Sequence, residues 1–289
     1  MQFFDSCKKA IMSCIETQTY SVAHLLSSEH TLDMHIHDCC EVYYSISGGK
    51  KFLINNHLYP FEPGDIFFIN HSESHHLLQV EEGKHERYVI NIHPRFIQNH
   101  SSVHTDLGLC FDNTWHTLGH KLSLTSKEQQ RFLFLIHKLS SLSSTDFGVD
   151  IMEQLVFIEL MVFFNELFSS KRNSPDKTIS PEKHYKKTNE IITYINQHLA
   201  DNLNLSILSK HFSISSSHLN RIFKEETGTT LQKYIVAQRI ALAKTLLSEG
   251  LAVTEVFLLS GFGDYSNFYK TFTKMVGVSP KSYAINSAK

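Results

Sequence analysis

The chain has 289 residues, of which 42% are hydrophobic and 19% are charged. This length predicts two compact domains, and the composition excludes a disordered or fibrous protein. The net charge of −2 is divided unevenly, since residues 1–183 carry about −7 and residues 184–289 carry about +5. A basic second half is typical of a domain that meets a polyanion, although a charge of about +5 is more often that of an ordinary soluble domain.

The first residues, MQFFDSCKKAIMSC, lack the pattern of a signal peptide, and nowhere do about 18 apolar residues run uninterrupted. The five cysteines are an odd number in a large chain, which argues against a disulfide framework. We therefore expect a cytoplasmic protein with reduced thiols and no membrane contact.

Short runs of aromatic and β-branched residues, separated by turn signals, occupy the first part of the chain. They are YSVAHLL (20–26), EVYYSI (41–46), KKFLIN (50–55), DIFFIN (65–70) and RYVINIH (87–93). Such runs predict strands, and their number favours a small antiparallel barrel or sandwich.

Helical periodicity follows in SKEQQRFLFLIHKLSSL (126–142) and in DFGVDIMEQLVFIELMVFFNELF (146–168). The second helix is apolar around nearly its whole circumference, so it requires burial against the barrel, against a second subunit, or both. Prolines and serines then mark residues 169–185 as a linker. The predicted domains are 1–170 and 186–289, joined by a linker at 171–185.

The basic half contains an internal repeat with an offset of 49 residues. HLNRIFKEETGTTLQKY (218–234) aligns with NFYKTFTKMVGVSPKSY (267–283), and a short apolar helix with a tight break precedes each copy. This is the pattern of two helix-turn-helix units. Between them LQKYIVAQRIALAKTLLSE (231–249) predicts a helix of roughly 28 Å, which suits recognition helices about one DNA turn apart. A scaffold of helical pairs for protein interaction is the alternative, although such solenoids need three or more repeats.

The stretch from LSILSKHFSIS to SGFGDYSNFYKTFTKMVGVSPKSY resembles the AraC/XylS transcription regulators over about 100 residues. One departure is Phe257 with Leu258, where that family usually has a small alanine. The resemblance implies a bacterial regulator, located with the nucleoid, that binds double-stranded DNA and contacts RNA polymerase. It also implies a homodimer formed through helices within residues 126–169.

The resemblance further implies which side chains of the two recognition helices meet DNA. In the first helix they are Ser217, His218, Asn220, Arg221 and Lys224, and in the second Tyr265, Ser266, Asn267, Tyr269, Lys270 and Lys274. Arginine can pair with guanine and asparagine with adenine through two hydrogen bonds, while lysines suit phosphates. Four apolar residues are expected in the core: Leu219, Phe223, Phe268 and Phe272. Arg239 is expected to have a structural role.

The first half contains MHIHDCCE (34–41), which fits the pattern H-x-H-x3-E-x6-G, and PGDIFFINHSESH (63–75). Both resemble the cupin motif, although Asn70 and Ser72 depart from it. Alternate residues of a strand share a face, so these side chains can converge in the mouth of a barrel. The expected effector site is His35, His37, Glu41, Tyr43 and His75, and the resemblance favours a sugar or related metabolite. Without Tyr43, the same set could instead hold a divalent metal.

The sequence thus predicts an α+β protein of two domains, a cupin-like β-barrel followed by helices and an all-α domain with two helix-turn-helix units. The function expected is that of a non-enzymatic transcription regulator without a resident cofactor. The alternative is a metal-dependent cupin enzyme tethered to a DNA-binding domain. His57, His85 and His93 are expected in turns or at the surface, and Cys39 and Cys40 in the packing, with a redox pair as the alternative.

Overall fold

The computed structural model describes residues 3–27, 34–47, 51–55, 57–71, 73–78, 85–112, 119–142, 145, 147–172 and 186–287. Within these ranges the strands are β1 Tyr20–Ser27, β2 Cys40–Ser45, β3 Lys51–Ile54, β4 His57–Pro60, β5 Asp65–Ile69, β6 His75–Leu78, β7 His85–Ile92 and β8 Lys121–Ser123. The helices of the first half are α1 Cys7–Thr17, α2 Pro94–His100, α3 Ser126–Ser140 and α4 Val149–Arg172. Those of the second half are α5 Lys186–Gln197, α6 Leu205–Phe212, α7 Ser216–Thr227, α8 Leu231–Ser248, α9 Val253–Leu259, α10 Tyr265–Val276 and α11 Pro280–Ser287.

The strands form two antiparallel sheets, one in the order β1-β7-β2-β5-β8 and the other in the order β4-β3-β6. Aromatic rings join the sheets: Phe52 of β3 lies 5.0 Å from Tyr43 of β2 and 5.1 Å from Phe67 of β5, centroid to centroid. Because side chains alternate along a strand, Tyr43 points between the sheets while Val42 and Tyr44 face the covering helices. The predicted barrel-like domain of antiparallel strands is confirmed.

Helices α3 and α4 cover the outer face of the larger sheet. Thr125 and Glu128 form a reciprocal cap at the start of α3, and Phe132 is fully buried beneath α4. One side of α4 packs into this core through Phe157 and Phe164. Its other side exposes a set of apolar residues, which are Ile151, Met152, Leu155 and Val162. The apolar circumference seen in the sequence therefore divides into a buried face and an exposed one.

The second half is helical, as predicted. The pairs α6/α7 and α9/α10 are two helix-turn-helix units, and α8 bridges them over 18 residues. Gly228 ends α7 and Gly277 ends α10, both with positive φ, as expected for the glycines that recur in the repeat. The four apolar residues expected in the core, Leu219, Phe223, Phe268 and Phe272, are fully buried.

The expected structural role of Arg239 is confirmed. Its guanidinium donates to the carbonyl oxygens of Leu199 at 3.0 Å and Asp201 at 2.7 Å, which ties the turn after α5 to α8. Phe257, which departs from the family pattern, packs at the edge of the second unit 5.5 Å from Tyr265, while Leu258 points outward. The larger side chain is thus accommodated at the margin of the core.

The placement of His85 in a turn or at the surface is wrong. It begins β7, is fully buried, and its Nε2 lies 2.8 Å from the hydroxyl of Tyr43. The predicted linker 171–185 lies outside the described residues except for its first two positions, which continue α4. Among the helices described, none has the length and apolarity needed to cross a membrane.

Candidate effector site and DNA-binding surface

Three histidines and one glutamate converge at one end of the barrel. The ligand atoms of His35, His37, Glu41 and His75 all lie within 4.8 Å of one another, and these four residues are called the His/Glu cluster below. His37 Nε2 is 3.1 Å from Glu41 Oε2, and His75 Nε2 is 3.5 Å from the same oxygen. His37, Glu41 and His75 are buried, whereas His35 is half-buried and forms the side of the cluster nearest to solvent.

Local backbone pairing explains this convergence. The N–H of each of His35 and His75 donates to the carbonyl of the other, at 3.1 and 3.0 Å, which places their rings 4.2 Å apart. Upstream of His75, the carboxylate of Glu73 accepts from Asn70 N–H and lies 2.8 Å from His120 Nε2. These bonds fix the loop before β6 and hold His75 against the cluster.

Burial and mutual charge control protonation in the cluster. Burial alone would raise the pKa of Glu41, yet the charge of His75 and the hydrogen bond from His37 hold that pKa well below its usual range. Burial would lower the pKa of His75, but the Glu41 carboxylate raises it. The pKa of His37 is lowered because burial outweighs its bond to Glu41. The cluster therefore contains a carboxylate facing a neutral imidazole and a basic one.

The donor set fits a divalent metal ion. Imidazole nitrogens and a carboxylate oxygen bind such ions at about 2.0–2.2 Å, so ligand atoms on opposite sides of one ion lie at most about 4.4 Å apart. The separations here require only a small inward movement. Moreover, Nε2 of His75 is buried and points at the Glu41 carboxylate, 3.5 Å away. That nitrogen is available as a ligand once it is deprotonated.

Tyr43, the fifth residue predicted for the effector site, lies deeper between the sheets. Its hydroxyl is engaged with His85, and Phe52, Phe61 and Phe67 surround its ring. It shares a strand face with Glu41 two residues away, and the Glu41 charge is one of the causes that raise the Tyr43 pKa, after burial.

A feature that sequence reasoning missed lies beside the cluster, where α8 docks on the barrel. Lys244 of α8 is 1% exposed, and its ammonium lies 2.7 Å from Asp38 Oδ1, 3.3 Å from the carbonyl of His37 and 3.2 Å from that of His71. One turn and a half earlier, Gln238 donates to Ser74 Oγ at 2.9 Å. A lysine within the apolar run IALAKTLL was the available signal, since a buried lysine requires a partner.

The first recognition helix, α7, presents most of its predicted DNA contacts to solvent. Ser217, His218, Arg221 and Lys224 are exposed. Arg221 is paired within the helix, with Nη1 2.9 Å from Glu225 Oε1 and Nη2 2.9 Å from His218 Nδ1. Asn220 is half-buried, and its side-chain oxygen accepts from the N–H of Leu231. Asn220 thus helps to fix the start of α8.

The second recognition helix, α10, is exposed along the whole predicted surface. Its six candidate contacts are all exposed: Tyr265, Ser266, Asn267, Tyr269, Lys270 and Lys274. Asp264 caps the helix by accepting from the N–H of Asn267 at 2.7 Å, and the Asn267 side-chain oxygen accepts from Thr271. Two aromatic rings beside two ammonium groups form a surface with both apolar and basic character.

Each half of the chain matches a known family of domains. The AraC-like ligand binding domain matches residues 23–161, and a helix-turn-helix domain matches residues 208–285. The first begins within β1 and covers the rest of the barrel, α3 and the first half of α4. The second covers both recognition helices and the α8 bridge.

Individual proteins agree with these matches. An uncharacterized HTH-type transcriptional regulator, YbfI of Bacillus subtilis, is 24% identical over 81% of this chain and 80% of its own. A similarly described regulator of Staphylococcus aureus is 24% identical over 83% of this chain, which spans only 30% of that relative's length.

One solved structure is similar to the second half of the chain, and another is similar to most of the chain. The C-terminal domain of the response regulator yesN from Fusobacterium nucleatum is 31% identical and covers 34% of this chain and 97% of its own, with a TM-score of 0.33. ToxT from Vibrio cholerae O395 covers 94% of this chain and 99% of its own at 16% identity, with a TM-score of 0.37. With an AraC-like ligand binding domain joined to two helix-turn-helix units, the chain belongs to the AraC family of DNA-binding transcription regulators.

Proposed function

We propose that the protein is a one-component regulator in which a small effector at the His/Glu cluster controls how a dimer occupies its DNA sites. The observation that carries this proposal is the direct docking of α8 on the segment that bears His35 and His37. A ligand alters DNA binding only through different affinities for two arrangements of the protein. A helix that contacts both the sensor and the recognition units can distinguish two such arrangements.

DNA recognition is assigned to the exposed faces of α7 and α10. Arg221 would contact guanine after exchanging its intrahelical bond to Glu225 for a bond to the base. Lys270 would contact a base from the second recognition helix. Lys224 and Lys274, at the last turns of the two helices, suit phosphates. Asn220 would have to release the N–H of Leu231 in order to contact adenine.

The effector is proposed to bind at the His/Glu cluster, with Tyr43 behind it. A sugar or related metabolite, the class favoured by the sequence, would find hydroxyl partners in three imidazoles and one carboxylate. The aromatic rings around Tyr43 would supply the apolar floor. No resident cofactor is required for this sensing role.

The exposed apolar face of α4 supports a homodimer formed within residues 126–169. Ile151, Leu155 and Val162 are 59%, 54% and 37% exposed and lie on one side of the helix. A face of this kind is stabilised when a second copy covers it. A dimer at DNA in the bacterial nucleoid would then be placed to contact RNA polymerase, in the cytoplasm.

An enzymatic role for the barrel is the second candidate, and the metal-ligand character of the His/Glu cluster favours it. If the cluster held a divalent ion, that ion would supply Lewis-acid chemistry, while His35, His37, Glu41 and His75 would hold it. Stoichiometric metal in the purified protein together with turnover of a small substrate would support this candidate over a pure sensor.

Selection of binding sites from a random pool of double-stranded DNA tests the proposal. The purified full chain is expected to enrich two half-sites about one helical turn, or 34 Å, apart. If the chain enriches no sequence at about 100 mM salt, where phosphate contacts still contribute strongly, the assignment of both recognition helices is wrong.

A further inference from the structure

The segment Met34–Asp38 has two faces with different partners. His35 and His37, at the odd positions, belong to the His/Glu cluster. Met34 and Ile36, at the even positions, are buried with residues of the first and of the second helix-turn-helix unit respectively. Asp38 continues the even series, since its carboxylate meets the ammonium of Lys244 and the hydroxyl of Tyr283. One extended segment therefore connects the cluster to both DNA-binding units.

The docked arrangement depends on a buried ammonium group. Lys244 has three acceptors, which are the Asp38 carboxylate and the carbonyls of His37 and His71. A buried charge is stable only while such partners are in place and while no like charge approaches it. One of those partners is the carbonyl of a cluster histidine, so Lys244 is adjacent to the cluster.

A divalent cation would make the charge beside Lys244 positive. Without it, the cluster carries −1 from Glu41, or no net charge when His75 is protonated. A divalent ion coordinated by Glu41 and neutral imidazoles would make the net charge +1. Whichever state His75 starts from, the change is positive, and it acts on a buried ammonium in a medium that screens charge weakly.

We propose that the His/Glu cluster binds a divalent transition-metal ion and that its occupancy releases the helical domain from the barrel by weakening the Lys244–Asp38 contact. This inference rests on the proposed function as a regulator, and it assigns a metal ion to the cluster in place of the sugar or related metabolite. The metal and the docked helical domain thus oppose each other. By thermodynamic reciprocity, docking weakens metal binding by the same factor through which metal weakens docking, so a change that removes the Lys244 charge is expected to strengthen metal binding.

Titration of the full chain with Co²⁺ tests both the site and the coupling. The wild type is expected to bind one Co²⁺ per chain with visible absorption bands, and His35→Ala is expected to lose them. Lys244→Met, which retains the length of the side chain without its charge, is expected to bind Co²⁺ at least about 5-fold more tightly. Lys233→Met, which alters an exposed lysine of the same helix, is the matched control and is expected to retain wild-type affinity.

Small-angle scattering provides a second measurement that needs no variant. Added Co²⁺ is expected to raise the radius of gyration of the wild type, because the helical domain leaves the barrel. If Lys244→Met fails to fold, as judged by circular dichroism, the radius of gyration of the wild type with and without Co²⁺ decides whether metal releases the helical domain. Equal Co²⁺ affinity in the two lysine variants, retention of Co²⁺ by His35→Ala, or an unchanged radius of gyration would each overturn the inference.

The outcome is separable from that of the proposed function. Enrichment of specific DNA together with failure of the Co²⁺ measurements would leave a regulator with a different effector. Success of the Co²⁺ measurements without any DNA enrichment would leave a metal-controlled docking surface and remove the DNA assignment.

Discussion

At the scale of single residues, partners within the fold determine how far a side chain is available for function. Asn220 and Lys270 were predicted from the same repeat as DNA contacts. The former now accepts from Leu231 N–H, whereas the latter is exposed. Residues of the two recognition helices thus differ in what they must give up before they meet DNA.

Truncation of either exposed cation should weaken DNA recognition at one half of the site. Arg221→Ala and Lys270→Ala are each expected to cost about 1–3 kcal/mol of binding free energy at the preferred sequence, and to relax preference in opposite halves of the site. Equilibrium binding to a set of single-base variants measures this. If either variant retained the parent's full preference at every position, the proposed orientation of that helix would be wrong.

Gly261 shows how a backbone position limits substitution. Its φ is +78°, and a Cβ built on it would lie 2.2 Å from the carbonyl oxygen of Leu199 and 2.9 Å from Arg239 Nε. Gly261→Ala should therefore both strain the turn before α10 and disturb the Arg239 contact to α5. We expect the free energy of unfolding of the helical half to fall by more than about 1 kcal/mol.

Urea denaturation followed by circular dichroism measures that loss. Gly263→Ala is the matched control, since no atom lies within 4 Å of its Cβ and its φ lies outside the left-handed range. Equal midpoints for the two variants would show that the turn accommodates a side chain at Gly261.

At the scale of elements, regular patterns long enough to show a period were predictable. Periodicity in the sequence predicts the strands β2, β5 and β7. It also predicts both helices after the barrel and the helices of the repeated units. Strand β8 was not predictable, because its three residues, Lys121–Ser123, are too few to show alternation. Pairing with Asp65–Phe67 of β5 holds these residues in the sheet. Likewise the sequence shows only the first residue of β6, His75, as the end of the motif PGDIFFINHSESH. The pairing of β6 with β3 sets the position of His75 opposite Ile54.

The exposed face of α4 yields a prediction about assembly. Leu155→Asp places a charge at the middle of that face, so it should disfavour the contact with a second copy and yield a monomer. Sedimentation velocity at micromolar concentration measures the mass. Leu258→Asp, at an apolar residue of α9 that is 69% exposed, is the control and should leave the mass unchanged. A dimeric Leu155→Asp protein would move the interface away from α4.

At the scale of the whole molecule, the sequence indicated two domains and their chemistry but not their mutual docking. The members of the His/Glu cluster followed from motif spacing and strand alternation, since both are local properties of the chain. The contact of Lys244 with Asp38 joins residues 206 positions apart, and no periodicity connects them. The apolar residues on several sides of α8 are explained equally well by a bridge within its own domain. Only the three-dimensional arrangement shows that it also faces the barrel.

The charge division along the chain leads to a final prediction, on salt dependence. The helical half carries the positive excess, and Lys224 and Lys274 stand exposed at the ends of the recognition helices. Each phosphate contact releases counterions, so the logarithm of DNA affinity should fall linearly with the logarithm of salt concentration. Lys224→Ala should reduce that slope by about 1 and weaken binding nearly uniformly across sequences. Lys9→Ala, which alters a lysine of α1 that is paired with Asp5, should leave the slope unchanged. Fluorescence anisotropy between about 50 and 200 mM salt measures both, and an affinity independent of salt would contradict the assignment of α7 and α10 to DNA.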